Sequence, residues 1–215
     1  MDKEAAFQTV EGALLGDAGL VRRSKNPYFW IDLSGPEHLD WLYALKSALL
    51  VLGVSVSSRC PKTVPRVSKL GDKVREWVCI ELWSEYSPVL LPLYYRWYPL
   101  GKKVLPHDVV LTPVVLANWF MGDGTSFKMP GRQNLVRAKF CTQGFPFCDT
   151  DMLKEQLSQL GVVTQRYKSD RSLFVNDAVS ITRLMTMIEP HVLPSYRHKI
   201  KYPRLVASPR GPKEC

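Results

Sequence analysis

The chain has 215 residues, 46% of them hydrophobic, with 29 basic against 20 acidic side chains, a net charge of +9 and a pI near 9.4. That apolar share supports a buried core and excludes a disordered chain, and the length allows one domain or two small ones. The basic balance points to a polyanionic partner, either nucleic acid or a membrane surface.

Five cysteines (60, 79, 141, 148 and 215) form no Cys-x-x-Cys pair, which argues against a zinc site or disulfide scaffold and fits reduced thiols inside a cell. The opening Asp2, Lys3 and Glu4 do not read as a signal peptide. The longest apolar run, 48–56, falls far short of the roughly 20 residues that span a bilayer, so no membrane partner is expected.

The first expected element is a helix over 3–15, closing on Val10-Glu11-Gly12-Ala13-Leu14-Leu15-Gly16-Asp17-Ala18. Gly12 and Gly16, four apart, share one face and offer a strip where another backbone can come close. Arg22, Arg23 and Lys25 follow in a turn-like stretch, and 28–33 reads as a strand. Ser34, with Pro36 and Glu37 behind it, reads as the N-cap of a capping box. The helix it opens carries Leu39, Leu42, Leu45, Leu49 and Leu52 and ends at Gly53. Residues 54–82 read as strands around a basic connection with Arg59, Lys62, Arg66 and Lys69, a turn at Gly71-Asp72, and Arg75 beyond it. A twisted basic hairpin of this kind suits a major groove. Ser87-Pro88 opens a short helical stretch reaching Trp97 and Tyr98, followed by a loop with Gly101-Lys102-Lys103.

The second half retraces the first. Leu116-Ala117-Asn118-Trp119-Phe120-Met121-Gly122-Asp123-Gly124 repeats the first motif 106 positions later, with small or compact residues at Ala117, Asn118 and Gly122. Strands are expected over 125–142 around Pro130-Gly131, with Lys128, Arg132, Arg137 and Lys139. A helix over 151–160 ends at Gly161-Val162, 108 positions after Gly53-Val54, which supports an internal repeat. A shorter hairpin carries Arg166, Lys168 and Arg171 around Ser169-Asp170, and a helix over 178–188 leads to the segment 194–200. Residues 204–215 read as a frayed tail. The tryptophans read as core, and the four histidines as surface or caps.

If the two motif helices pack on each other, Asp17 and Asp123 emerge side by side at their C-terminal ends. A carboxylate there is disfavoured by about 0.3–1 kcal/mol, and two close together raise one pKa unless a cation lies between them. A divalent metal with oxygen ligands, Mg²⁺ rather than Zn²⁺, resolves both.

These residues carry a resemblance. Both segments resemble the nine-residue motif of the LAGLIDADG homing endonucleases, and the duplication resembles their single-chain branch, which includes related maturases. Leu15 and Met121, at a motif position often acidic in that family, and Ala18 at the ninth position depart from the pattern. The resemblance implies an α+β fold of two pseudo-symmetric αββαββα halves, 1–105 and 106–203, forming a saddle-shaped monomer with two antiparallel DNA-binding sheets. It places metal on Asp17 and Asp123, flanked by Gly16, Ala18 and Gly122, and gives Lys103 and Lys199 the role of basic residues beside the scissile phosphates. Gln143 matches a glutamine the family holds near an active-site water. The implied activity is Mg²⁺-dependent cleavage of both strands of a long asymmetric DNA site, in an organellar setting. The alternatives are a maturase that binds intron RNA without cutting DNA, and a non-catalytic DNA-binding module.

Overall fold

The computed structural model describes residues 1–70, 73–129, 131–167 and 171–203; at 69, 70, 73 and 132–134 it describes the backbone alone. The expected turns at Gly71-Asp72 and Ser169-Asp170 and the tail 204–215 lie outside the described residues.

The first half contains α1 (Lys3–Leu15), β1 (Gly19–Val21), β2 (Tyr28–Ser34), α2 (Leu39–Val51), β3 (Lys62–Leu70), β4 (Lys73–Trp83) and α3 (Leu91–Trp97). The second contains α4 (Pro113–Asp123), β5 (Gly124–Met129), β6 (Arg132–Phe140), α5 (Phe147–Gln159), β7 (Gln165–Arg166), β8 (Leu173–Val175) and α6 (Ala178–Ile188). The strands make two antiparallel sheets, β1-β2-β4-β3 and β5-β6-β8-β7, so one order occurs twice. This is the expected α+β class with two four-stranded sheets.

The repeat extends to how the chain turns. Gly53 and Gly161 both have positive φ, 81° and 74°. The following residues, Val54 and Val162, donate backward to Leu49 and Leu157, each at 2.8 Å. This is the Schellman closure of a helix, built at the same point in each half.

Helix α4 is apolar on nearly every side, and α1 is so over its C-terminal half apart from Glu11, which buries both. Ala6, Val10, Ala13, Leu14 and Leu15 of α1 have no exposed surface, nor do Val115, Leu116, Ala117, Trp119 and Phe120 of α4. The sheets cover them with one face each, through Phe29, Ile31, Ile80 and Leu82 on one side and Ala138, Phe140, Leu173 and Val175 on the other. Alternation leaves the opposite sheet faces open.

Three local expectations fail. Ser34 is not a cap: its backbone pairs with Cys79 as the last residue of β2, and α2 starts at Leu39 after a 3-10 turn, Pro36–His38. Helix α5 starts at Phe147, four residues before the expected 151, behind Pro146. The tryptophans divide, with Trp41, Trp97 and Trp119 fully buried but Trp30 exposed and Trp77 and Trp83 half-buried.

Candidate active site and nucleic-acid face

The α1–α4 seam is closest at Gly12. A Cβ placed there would lie 2.5 Å from the Val115 carbonyl oxygen and 2.7 Å from Asn118 Cβ, so only a residue without a side chain fits. The strip is looser at Gly16, where a Cβ would meet Asp123 N at an ordinary 3.5 Å. Asn118 is a bonded member of the seam: its Oδ1 accepts from Trp41 Nε1 at 2.9 Å, and its Nδ2 donates to the Val114 carbonyl at 2.9 Å. This ties α2 to α4.

The seam delivers both aspartates to one place. A Cβ on Gly122 would lie 3.2 Å from Asp17 Oδ2, and Gly16 faces the Asp123 backbone. Asp17 follows the α1 cap at Gly16, and Asp123 is the last residue of α4. Asp17 reaches water, yet protein encloses it on the scale over which desolvation acts, and its carboxyl is raised chiefly by burial. Asp123 is pushed up to about 6, first by burial and then by the neighbouring Asp17 charge.

Two lysines complete the site with the same geometry in each half. Lys103 Nζ donates to the carbonyls of Gly16 (3.0 Å) and Ala18 (2.9 Å). Lys199 Nζ donates to those of Met121 (2.7 Å), Gly122 (3.2 Å) and Gly124 (2.9 Å). Gly122 and Gly124 are the repeat equivalents of Gly16 and Ala18. Each ammonium thus sits where a helix leaves its last carbonyls unbonded, and faces the partial negative charge there. Burial lowers both amines, Lys103 to about 8, while Asp123 and Asp17 oppose that fall.

The donor set suits a hard cation. Two carboxylates held partly out of water, with one repelling the other, lack full compensation from the lysines. Among the described residues no third His, Cys, Asp or Glu gathers with them. Mg²⁺ is commonly held by one or two carboxylates while water and phosphate oxygens fill its other positions, so the pair fits it. The carbonyls of Gly16, Ala18 and Gly122, residues expected to flank the metal, accept from the two lysines.

Sequence reading missed two neighbours of Asp17. His38, read as an ordinary surface or cap residue, stacks on Tyr196 at 5.0 Å, and Tyr196 meets Trp41 edge-on at 5.4 Å. The Asp17 charge acts on both His38 and Tyr196. Asp40 anchors this corner by accepting from Ser195 N (3.1 Å) and Ser195 Oγ (2.6 Å). No short motif joins these residues, since the bonded partners lie 155 positions apart.

The expected basic face is thinner than its sequence. Arg23, Lys25, Arg59, Lys62 and Arg75 are exposed, and Arg22 is exposed while donating to Tyr95 Oη at 2.8 Å. Arg137 and Lys139 pair with Phe127 and Thr125 on the open side of the second sheet. Three of the expected residues bond within the protein. Arg66 is bound to Asp32 (3.1 Å) and Glu81. Arg166 is fixed to Asp151, Thr150 and the Phe147 carbonyl, and Arg171 donates to the Phe145 carbonyl at 2.9 Å. Lys128 pairs with buried Val136 near the end of β5 and is itself exposed. The side chains of Lys69 and Arg132, and all of Lys168, lie outside the described residues. Gln143 Nε2 donates to Ser172 Oγ at 3.4 Å.

Two buried helices meet along a glycine, and each leads into an aspartate beside a lysine clamp. The LAGLIDADG DNA endonuclease family model matches residues 7–174. The chain belongs to the LAGLIDADG DNA endonuclease family. An uncharacterised protein of Methanocaldococcus jannaschii is 27% identical to it over 195 residues, covering 89% of this chain and 72% of that protein. The cytochrome b mRNA maturase bI2 of Debaryomyces hansenii is 27% identical over 212 residues, covering 93% and 74%. The solved structure of the homing endonuclease I-WcaI bound to its DNA recognition sequence superposes with a TM-score of 0.78 over 93% of this chain and 87% of that one, at 18% identity. That likeness speaks for the LAGLIDADG fold. No helix among the described residues is long and apolar enough to cross a membrane.

Proposed function

We propose that this LAGLIDADG protein is a monomeric, site-specific endonuclease that hydrolyses one phosphodiester in each strand of duplex DNA with Mg²⁺. The observation that carries this reading is the convergence of Asp17 and Asp123 at the foot of one helix seam, each beneath an equivalent lysine. The two carboxylates would hold the metal, which when bound supplies an activated water and stabilises the departing oxygen. Lys103 and Lys199 hold positive charge beside the two scissile phosphates, where negative charge develops. Their attachment to backbone carbonyls fixes both ammonium groups before substrate arrives. Asp40, by holding Ser195, positions the segment that carries Lys199. The two open sheet faces would lie along the two halves of an asymmetric site, with phosphate contacts from the exposed Arg and Lys side chains.

The test is cleavage of a supercoiled plasmid library with Mg²⁺. Asp17→Asn and Asp123→Asn should each abolish double-strand cutting while duplex binding survives; normal cutting by both variants would overturn the assignment. The similarity to the Debaryomyces hansenii maturase favours a second reading, in which the chain binds intron RNA and assists splicing. Affinity for structured intron RNA against target duplex, at matched salt because phosphate contacts dominate both, separates the two.

A further inference from the structure

The open side of the first sheet carries aromatic rings near one end. Trp30 and Trp83 stand directly opposite each other on β2 and β4, a pairing that brings Cβ atoms to about 4.5–5.5 Å. On its other flank Trp30 pairs with Gly19, which has no side chain to cover the ring, and Trp30 remains 36% exposed. Tyr28 and Tyr86 meet edge to face at 5.1 Å. With Glu81 and Glu85 these four aromatics line one open groove of about 390 Å³.

The groove adjoins a source of positive charge. Val21 pairs with Tyr28, so the connection bearing Arg22, Arg23 and Lys25 leaves the sheet at the Tyr28 end. Ser87 N donates to the Pro27 carbonyl at 2.9 Å, which holds Tyr86 beside the same connection.

We propose that this groove binds an unpaired base of single-stranded nucleic acid, stacked on Trp30 and Trp83, with the adjoining phosphates on Arg22, Arg23 and Lys25. A duplex offers a protein its base edges and phosphates, and keeps its base faces stacked; an aromatic platform takes a base whose face is free. Exposed Glu85 supplies an acceptor for an exocyclic amino group, the role of a carboxylate toward cytosine. Glu85 repels phosphate at the groove, where Glu81 is already paired with Arg66, and the basic loop attracts it, which orients the strand with its base inward. The source of the base is a melted DNA strand or an RNA. The inference rests on the proposed nucleic-acid function but not on cleavage.

The experiment measures binding of the full chain, without divalent metal and at fixed salt, to a single-stranded DNA, an RNA of the same sequence and the blunt DNA duplex. Trp30→Ala and Trp83→Ala should each weaken single-strand binding about tenfold and weaken duplex binding far less, since a duplex meets this sheet face with base edges and phosphates rather than base faces. Trp30→Phe, which keeps a stacking face, should retain most of the affinity and guards against a folding defect. Single strands should also quench tryptophan emission, and the double alanine variant should lose that quench. Tighter binding of the RNA or of the DNA strand identifies the source, and either upholds the proposal. Equal losses for duplex and single strand, or no loss, overturn it while leaving the nuclease reading intact. If the wild-type chain binds no nucleic acid, both readings fall.

Discussion

Replacing Gly12 by alanine tests whether the helix seam sets the active site. A new Cβ would lie 2.5 Å from the Val115 carbonyl oxygen, and backbone at that distance cannot swing aside. Relief to an ordinary contact near 3.4 Å needs α1 and α4 to separate by about 0.9 Å. A gap of that size forfeits between a quarter and a half of each dispersion contact along the seam, and overpacking of this kind costs about 1–3 kcal/mol. Alanine's better helix propensity returns about 1 kcal/mol, so the net destabilisation is about 0–2 kcal/mol. That corresponds to a melting shift of at most about 8 °C for a chain of this size. The same displacement moves Asp17 against Asp123, and a misplacement near 1 Å lowers a positioned reaction about 10²-fold. Thermal melting and plasmid cleavage, measured on one preparation, should show a large loss of rate against a small loss of stability. Wild-type stability together with a wild-type rate would refute the close approach.

Proton and metal should compete at the carboxylates. At limiting Mg²⁺ the cleavage rate should rise as pH passes through about 6, where Asp123 ionises, and fall above about 8, where Lys103 loses its proton. Saturating Mg²⁺ should move the acid limb lower, and a rate flat across pH 6 at limiting metal would refute the competition. For the metal-free protein the signs are fixed by linkage. Asp123 is raised from 3.8, so its contribution to stability grows as pH falls from about 6 toward 3.8. Lys103 is lowered from 10.5, so its contribution grows as pH rises from about 8 toward 10.5. Lys103→Met and Lys199→Met should each slow one strand's cleavage about 10²-fold, so nicked plasmid accumulates. End-labelled duplex should show the two variants sparing opposite strands, and equal slowing of both strands by either variant would contradict the paired arrangement.

The duplicated motif was legible because it is short in sequence and local to the end of each helix: Gly12, Asp17, Gly122 and Asp123 declared a seam and what lies at its foot. Lys103 and Lys199 were legible only through family likeness, since nothing local to either residue indicates the carbonyls it meets. Which basic side chains remain exposed on the sheets depends on pairing across strands. Arg66 lies 34 positions from Asp32, and its neutralisation follows from β2, β3 and β4 lying side by side. The aromatic groove was hidden for a related reason. Tyr28-Phe29-Trp30-Ile31 is apolar throughout, so its pattern does not reveal that Phe29 and Ile31 face the core while Trp30 faces outward. Ser34 misled because three residues of a capping pattern occurred where the backbone was already engaged in a ladder with Cys79.

On the proposed function, Asp17 and Asp123 share a divalent-metal site in the presence of DNA. Crystals of the protein on a selected target duplex, soaked in Mn²⁺ and measured for anomalous scattering, address it directly. Anomalous density is expected at carboxylate-ligand distance, about 2.0–2.3 Å, from oxygens of both aspartates and from a phosphate of each strand. Density elsewhere on the protein, or two empty carboxylates beside an intact duplex, would contradict it.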